Sequence, residues 1–203
     1  GVISGYGRDL METFHLPVES IYSMPNLRQW FVESTLYPFI GGDTVRREEM
    51  KVAGLTRQLP LCKVSDELYI GAFVMFGDVE ITMKTAEQLL QRAPEFDVIV
   101  TAEAKGIPLA YEMSRQSGKK YIPARKGPKL YMEKPVIVKD KSITTAAEQT
   151  LVIDQKDLDY MQGKRVVIAD DVISTGGSLH ALEALVSKCD CTVVARAAVL
   201  AEG

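Results

Sequence analysis

The sequence predicts an α/β fold: a parallel sheet flanked by helices, with a small N-terminal hood lobe in front and a flexible β-hairpin flap. Three observations predict it. Short, continuously apolar runs at 97–101, 165–169 and 192–200 have the pattern of strands buried on both faces. Segments whose apolar residues recur at helical spacing lie between them. From about residue 82 strand and helix alternate, which implies crossover connections and a parallel sheet.

Composition bounds the class. The chain has 203 residues, 46% of them apolar, enough for one sizeable core with an appended lobe. A net charge of −3 argues against a general nucleic-acid binder, which normally carries a basic excess. No apolar run approaches ~20 residues, so no membrane span is expected, and no signal peptide is visible after Gly1. Three cysteines, Cys62, Cys189 and Cys191, have no framework spacing. They point to a reducing, cytoplasmic setting. Without a second Cys or His pair nearby, Cys189 and Cys191 read as thiols at a helix-to-strand junction, and no protein metal site is expected. His15 and His180 are isolated and receive no catalytic role.

The elements follow in order. Residues 9–40 read as mostly helical, with Leu27, Trp30 and Phe31 on one face and Pro38, Gly41 and Gly42 ending the run. Residues 50–76 form short strand-like runs broken by Gly, Pro and Asp, the signature of a small antiparallel lobe. This divides the chain into N-terminal helices and hood over 1–81 and a core over 82–203. Ala86, Leu89, Leu90 and Ala93 mark the first core helix. Residues 97–101 make a strand, and 107–116 a helix with Pro108 in its first turn and Gly118 past its end. Residues 121–124 make a strand despite Pro123. The flap is placed at about 127–150, a hairpin in which strand-like runs at 136–139 and 149–153 flank a polar, Thr/Ala-rich stretch. A strand at 165–169 leads to a helix near Ser178 with Leu179, Leu182, Leu185 and Val186 on one face. A last strand covers 192–200.

Chemistry concentrates after the strand at 165–169. Its end carries two adjacent carboxylates, Asp170 and Asp171, then Ser174, Thr175, Gly176, Gly177 and Ser178. Ligands of parallel sheets bind beyond the strands' carboxyl ends. Glycines admit an anion close to the backbone, and a helix N-terminus favours phosphate. Two aspartates beside a phosphate would repel it unless they hold something else, such as sugar hydroxyls. The segment therefore suits a sugar phosphate. The Gly-Lys-Ser/Thr ending of a nucleotide P-loop is absent.

Residues 166–178 resemble the signature of type I phosphoribosyltransferases for 5-phosphoribosyl-1-pyrophosphate (PRPP). The resemblance runs from about residue 82 to the end and is closest to the adenine and xanthine enzymes. It implies that Asp170, Asp171 and residues 174–178 hold PRPP. Ala104, Lys105 and Gly106 match the family's pyrophosphate loop, with Lys in place of the usual Arg. Arg125, Lys126 and Lys129 match its basic run into the flap. Residues 115–141 carry nine Lys or Arg against two acids, an excess that a flap closing over pyrophosphate would need.

The implied reaction replaces pyrophosphate at ribose C1 with a base nitrogen, with inversion. Asp170, Asp171 and Lys105 are the implied catalytic residues, and Mg²⁺ would arrive bound through PRPP. Phe73 and Val74, beside Ala72, are candidates for the base wall. The expected substrate is a purine, with adenine ahead of xanthine or another 6-oxopurine. The family's flap Glu aligns with Thr145, and Glu148 is the nearest acid. The alternative is a PRPP-binding regulator, but residues 1–50 are not basic and show no helix-turn-helix. A homodimer is expected, with no nucleic-acid or membrane partner.

Overall fold

The computed structural model describes residues 2–4, 22–24, 47–63, 69–140, 149–173 and 176–201. In chain order its strands begin with β1 (Val2–Ser4), β2 (Tyr22–Met24), β3 (Arg47–Val52), β4 (Leu55–Lys63) and β5 (Tyr69–Gly71). Helix α1 (Val79–Arg92), β6 (Val98–Ala102), α2 (Gly106–Ser117) and β7 (Lys120–Ala124) follow. Next come β8 (Pro135–Asp140), β9 (Gln149–Asp154) and α3 (Gln155–Met161). The series ends with β10 (Arg165–Ile173), α4 (Gly177–Val186) and β11 (Thr192–Ala201).

Six parallel strands form the main sheet in the order β2-β1-β11-β10-β6-β7. Side chains alternate between its faces. Val98, Val100, Val166 and Ile168 face a core made with Leu179, Leu182 and Leu185 of α4, Leu158 and Met161 of α3, and Leu151 and Ile153 of β9. Ile99, Val167, Ala169 and Val199 face a second core with Ile81 and Leu89 of α1 and Leu109 and Met113 of α2. That second core also takes Met50, Val52 and Phe73 from the N-terminal side, so lobe and sheet share one interior.

Strands β3, β4 and β5 form the antiparallel sheet of the lobe. The strand-like run at 51–56 is interrupted at its middle: Ala53 and Gly54, with φ of 51° and 76°, form the turn that joins the end of β3 to the start of β4. Pro60 sits inside β4 and does not break it. Among the described residues of the run 67–76, Tyr69–Gly71 is strand, and beyond it the chain turns at Phe76–Gly77 toward α1. Asp78 caps α1, its carboxylate accepting from the Ile81 N–H at 3.1 Å.

Several boundaries differ from expectation. Tyr22–Met24 is a strand beside β1, not helix, and both extend the main sheet. Other residues of the expected helical stretch 9–40 lie outside the described residues, as do the flap positions Thr145 and Glu148. β10 runs on to Ile173, so the aspartates stand within the strand rather than at its end, held by pairing with β11 (Asp170↔Ala198, Val172↔Leu200). Helix α3 was not expected, although Leu158 and Met161 show its spacing. Pro123 fits because β7 is an edge strand. β8 and β9 pair antiparallel as the flap's two arms. Cys189 is buried and Cys191 half-buried after α4, both sulfurs near the Val186 carbonyl.

Candidate active site

The topology opens a crevice at one place. From β6 the chain moves outward to β7, and from β10 it moves the other way to β11, so β6 and β10 flank the switch point. They pair only over Val166–Ile168 and Val98–Val100. Beyond that register β10 follows β11 alone. The gap is filled by the turn Glu103–Lys105 and the start of α2.

A cleft of about 700 Å³ lies here. Its floor is Ala102, Glu103, Ala104, Lys105, Asp170, Asp171, Val172 and Ser178, and Thr150 and Leu151 of β9 flank it with Lys126. Residues Ile70 to Val74, at the end of the lobe, form the opposite wall. Its size is in the range of small-ligand sites.

The aspartates are the unusual part. The Asp171 N–H donates to Asp170 Oδ1 at 2.9 Å. Asp171 is buried, and its Oδ2 has no hydrogen-bond partner. Burial, then the neighbouring Asp171 charge, pushes the Asp170 carboxyl well above the usual carboxylate range. Burial raises Asp171 as well, while Lys105 opposes both shifts. Two adjacent carboxyls raised by burial, one with an orphaned oxygen, suit a ligand that brings hydroxyl donors.

Gly106 makes the aspartates and the loop fit. A Cβ there would overlap Thr101 Oγ1 and stand 2.7 Å from Asp170 Oδ1. Any side chain at this position would have to displace Thr101 or Asp170. Lys105 precedes α2 and is exposed on the cleft. Across the cleft α4 starts at Gly177, after Gly176 with φ of 80°, a conformation that favours glycine. Ser178 in its first turn reaches the cleft. Ser174 and Thr175 lie outside the described residues.

The structure thus brings together Ala104, Lys105, Lys126, Asp170, Asp171, Ser178, Phe73 and Val74 on one cleft. Phe73 is buried and belongs to the shared core as well, whereas Val74 is half exposed. Arg125 is placed differently. Its Nε and Nη2 donate to Glu103 at 3.0 and 3.2 Å, and Lys129 Nζ stands 3.9 Å from the same carboxylate. Glu103 was missed by sequence reasoning. The available signal was an acid inside a loop otherwise suited to an anion.

A sequence profile of the phosphoribosyl transferase domain matches residues 79–203. The chain belongs to the phosphoribosyltransferase family. Adenine phosphoribosyltransferase of Thermosipho africanus (strain TCF52B) is 32% identical over 123 residues, 60% of this chain and 69% of that protein. The enzyme of the same name from Thermotoga sp. (strain RQ2) is 36% identical over 103 residues, 51% of this chain and 58% of that one. The matches thus span between 58% and 69% of these relatives' length. Among solved structures, Saccharomyces cerevisiae adenine phosphoribosyltransferase complexed with D-2,5-dideoxy-2,5-imino-altritol 1,6-bisphosphate and adenine has a TM-score of 0.59. It is 19% identical, and the match covers 77% of this chain and 84% of that one. This likeness establishes the type I phosphoribosyltransferase fold for the parallel sheet and its helices.

Proposed function

We propose that this phosphoribosyltransferase transfers the 5-phosphoribosyl group from PRPP to a purine base, adenine favoured, and releases pyrophosphate in purine salvage. The observation that carries the reading is the Asp170–Asp171 pair, Asp171 buried and Asp170 partly so, at the switch point between a helix N-terminus and the loop that carries Lys105. The relatives' shared name supports adenine as the acceptor.

In this reading the 5-phosphate rests on the α4 N-terminus, Gly176 to Ser178, with Ser174 and Thr175 in the loop before it. The aspartates accept hydrogen bonds from the ribose hydroxyls. Their negative potential then faces the cation-like carbon that forms at C1. Ala104, Lys105, Gly106 and Lys126 form the pyrophosphate side, with Lys129 and Arg125 behind them. Phe73 and Val74 wall the base.

Two carboxylates are too few to hold Mg²⁺ alone, so the donor set fits an ion that takes most of its ligands from PRPP. When bound, it would offset charge on the departing pyrophosphate. Closure of the β8–β9 hairpin would exclude water from the cleft. The division near residue 81 becomes functional: residues 82–203 hold the donor and residues 1–81 cover the base.

Among the described residues no helix is long and apolar enough to cross a membrane. Three free thiols suit the cytoplasm. Phe76, Val79 and Met83, large apolar side chains left exposed around the start of α1, support a homodimer, which light scattering would read.

The test is direct. The protein is mixed with Mg²⁺, PRPP and, in turn, adenine, hypoxanthine, guanine, xanthine and orotate, and pyrophosphate release is followed. Turnover is expected with adenine first. Turnover confined to a 6-oxopurine would reassign the acceptor. Tight PRPP binding without turnover on any base would return the regulator reading.

A further inference from the structure

A carboxylate on the pyrophosphate side of the cleft is an electrostatic contradiction. Glu103 lies between β6 and the Ala104-Lys105-Gly106 loop, and it lines the cleft. Left unpaired, its charge would repel the anion that Lys105 and Lys126 attract.

Glu103 is fully engaged. Its Oε2 accepts from the Lys126 N–H at 3.0 Å and from Arg125 Nε at 3.0 Å, and its Oε1 accepts from Arg125 Nη2 at 3.2 Å. The Lys126 amide, then the Arg125 guanidinium, holds its carboxyl below the usual range. Sheet register explains the meeting. Ala102 pairs with Ala124, so Glu103 and Arg125 leave adjacent strands one step later. Arg125 is fixed from the other side too, since its N–H and carbonyl both bond Val152 of β9, at 2.8 and 2.7 Å. Pair and backbone together tie the pyrophosphate loop, the end of β7 and the root of the flap.

We infer that Glu103 is a positioning residue for pyrophosphate binding, acting through the Arg125 guanidinium and the Lys126 amide to aim the Lys126 side chain at the cleft beside Lys105. Arg125 is then a strut rather than a direct ligand, because its fork is spent on Glu103. The pair is neutral as a unit, so Lys105 and Lys126 set the sign on the pyrophosphate side of the cleft. Removing either member leaves a part-buried charge without its partner. The inference rests on the PRPP reading above.

The experiment compares wild type, Glu103→Gln, Arg125→Gln and the double variant in the full chain. Steady-state KM is measured for PRPP and for adenine, and the Kd of Mg²⁺-pyrophosphate by calorimetry. Each single variant is expected to raise the PRPP KM and the pyrophosphate Kd about tenfold, leaving the adenine KM within about twofold. The double variant should be no worse than the weaker single, since both remove one interaction. Glu103→Asp keeps the charge on a shorter arm and should recover part of the loss. It also serves as the reporter if Glu103→Gln does not fold.

Unchanged or tighter pyrophosphate binding in Glu103→Gln, or losses that multiply in the double variant, would overturn the inference and leave the PRPP reading standing. A wild type that binds neither PRPP nor pyrophosphate would overturn both.

Discussion

The burial of Asp170 and Asp171 and the catalytic role proposed for them act on stability and on turnover in opposite senses. Their carboxyls are raised above the unfolded range near 4 by burial, so the empty folded protein holds protons that the unfolded chain releases. Their contribution to stability is therefore largest at acid pH and is lost as pH rises through the raised values. Asp171→Asn removes one of the two charges. Its melting temperature should match or exceed the wild-type value at neutral pH, and the difference should shrink toward pH 4. Its turnover should fall on the order of 10²-fold or more. Thermal melts across pH and pyrophosphate-release assays read the two effects, and unchanged turnover would remove Asp171 from the mechanism. Gly106→Ala tests the same spot sterically. The new methyl must displace Thr101 or Asp170, at a cost of about 1–3 kcal/mol. Loss of PRPP affinity is expected along with that stability loss, by denaturant titration and calorimetry.

Elements meet at charged joints. Arg57 of β4 donates to Asp78 at 3.0 Å and to Glu80 at 2.8 Å, and Asp78 is also the cap of α1. One carboxylate thus starts a helix and fastens the lobe to it. Hydrogen bonds from the Arg57 guanidinium lower the Asp78 carboxyl below its ordinary range, so this joint contributes stability at neutral pH that is lost on acidification through the lowered value. Asp78→Ala should cost about 1 kcal/mol from the cap alone. Chemical denaturation at neutral and acid pH checks this, since the loss should fade at low pH. At the flap, β8 and β9 are legible as two β-rich arms around a polar stretch, but which residues anchor their root is not. That depends on Asp154, which is buried and accepts from the Glu133 and Lys134 N–H groups at 3.3 and 3.1 Å. No sequence period marks such a contact.

The whole molecule behaves as one cooperative body if its cores are continuous. Met50, Val52 and Phe73 of the lobe share a core with Ile99, Leu109 and Val167. Lobe and sheet should therefore unfold together, in one transition seen alike by fluorescence and circular dichroism. Leu109→Ala, at the centre of that core, should lower stability by about 2–5 kcal/mol without splitting the transition. Two separated transitions would show that the lobe folds apart from the sheet.

Taken alone, the sequence determined the periodic and the punctuated parts. Both-face apolar runs located β6, β10 and β11, because burial on two faces leaves no polar alternation to read. Pro108 and Gly118 bounded α2, because each has a local backbone reason to be where it is. The Asp-Asp and Gly-Gly run marked the proposed donor site, since a ligand reconciles its charges. Tertiary structure decided what depends on neighbours distant in sequence. It extended β10 past the aspartates through pairing with β11, and it placed Tyr22–Met24 on the main sheet. It set Phe73 on both a core and a cleft wall. It also turned Arg125 toward Glu103, because parallel register, and nothing in the order of residues, puts those two side by side.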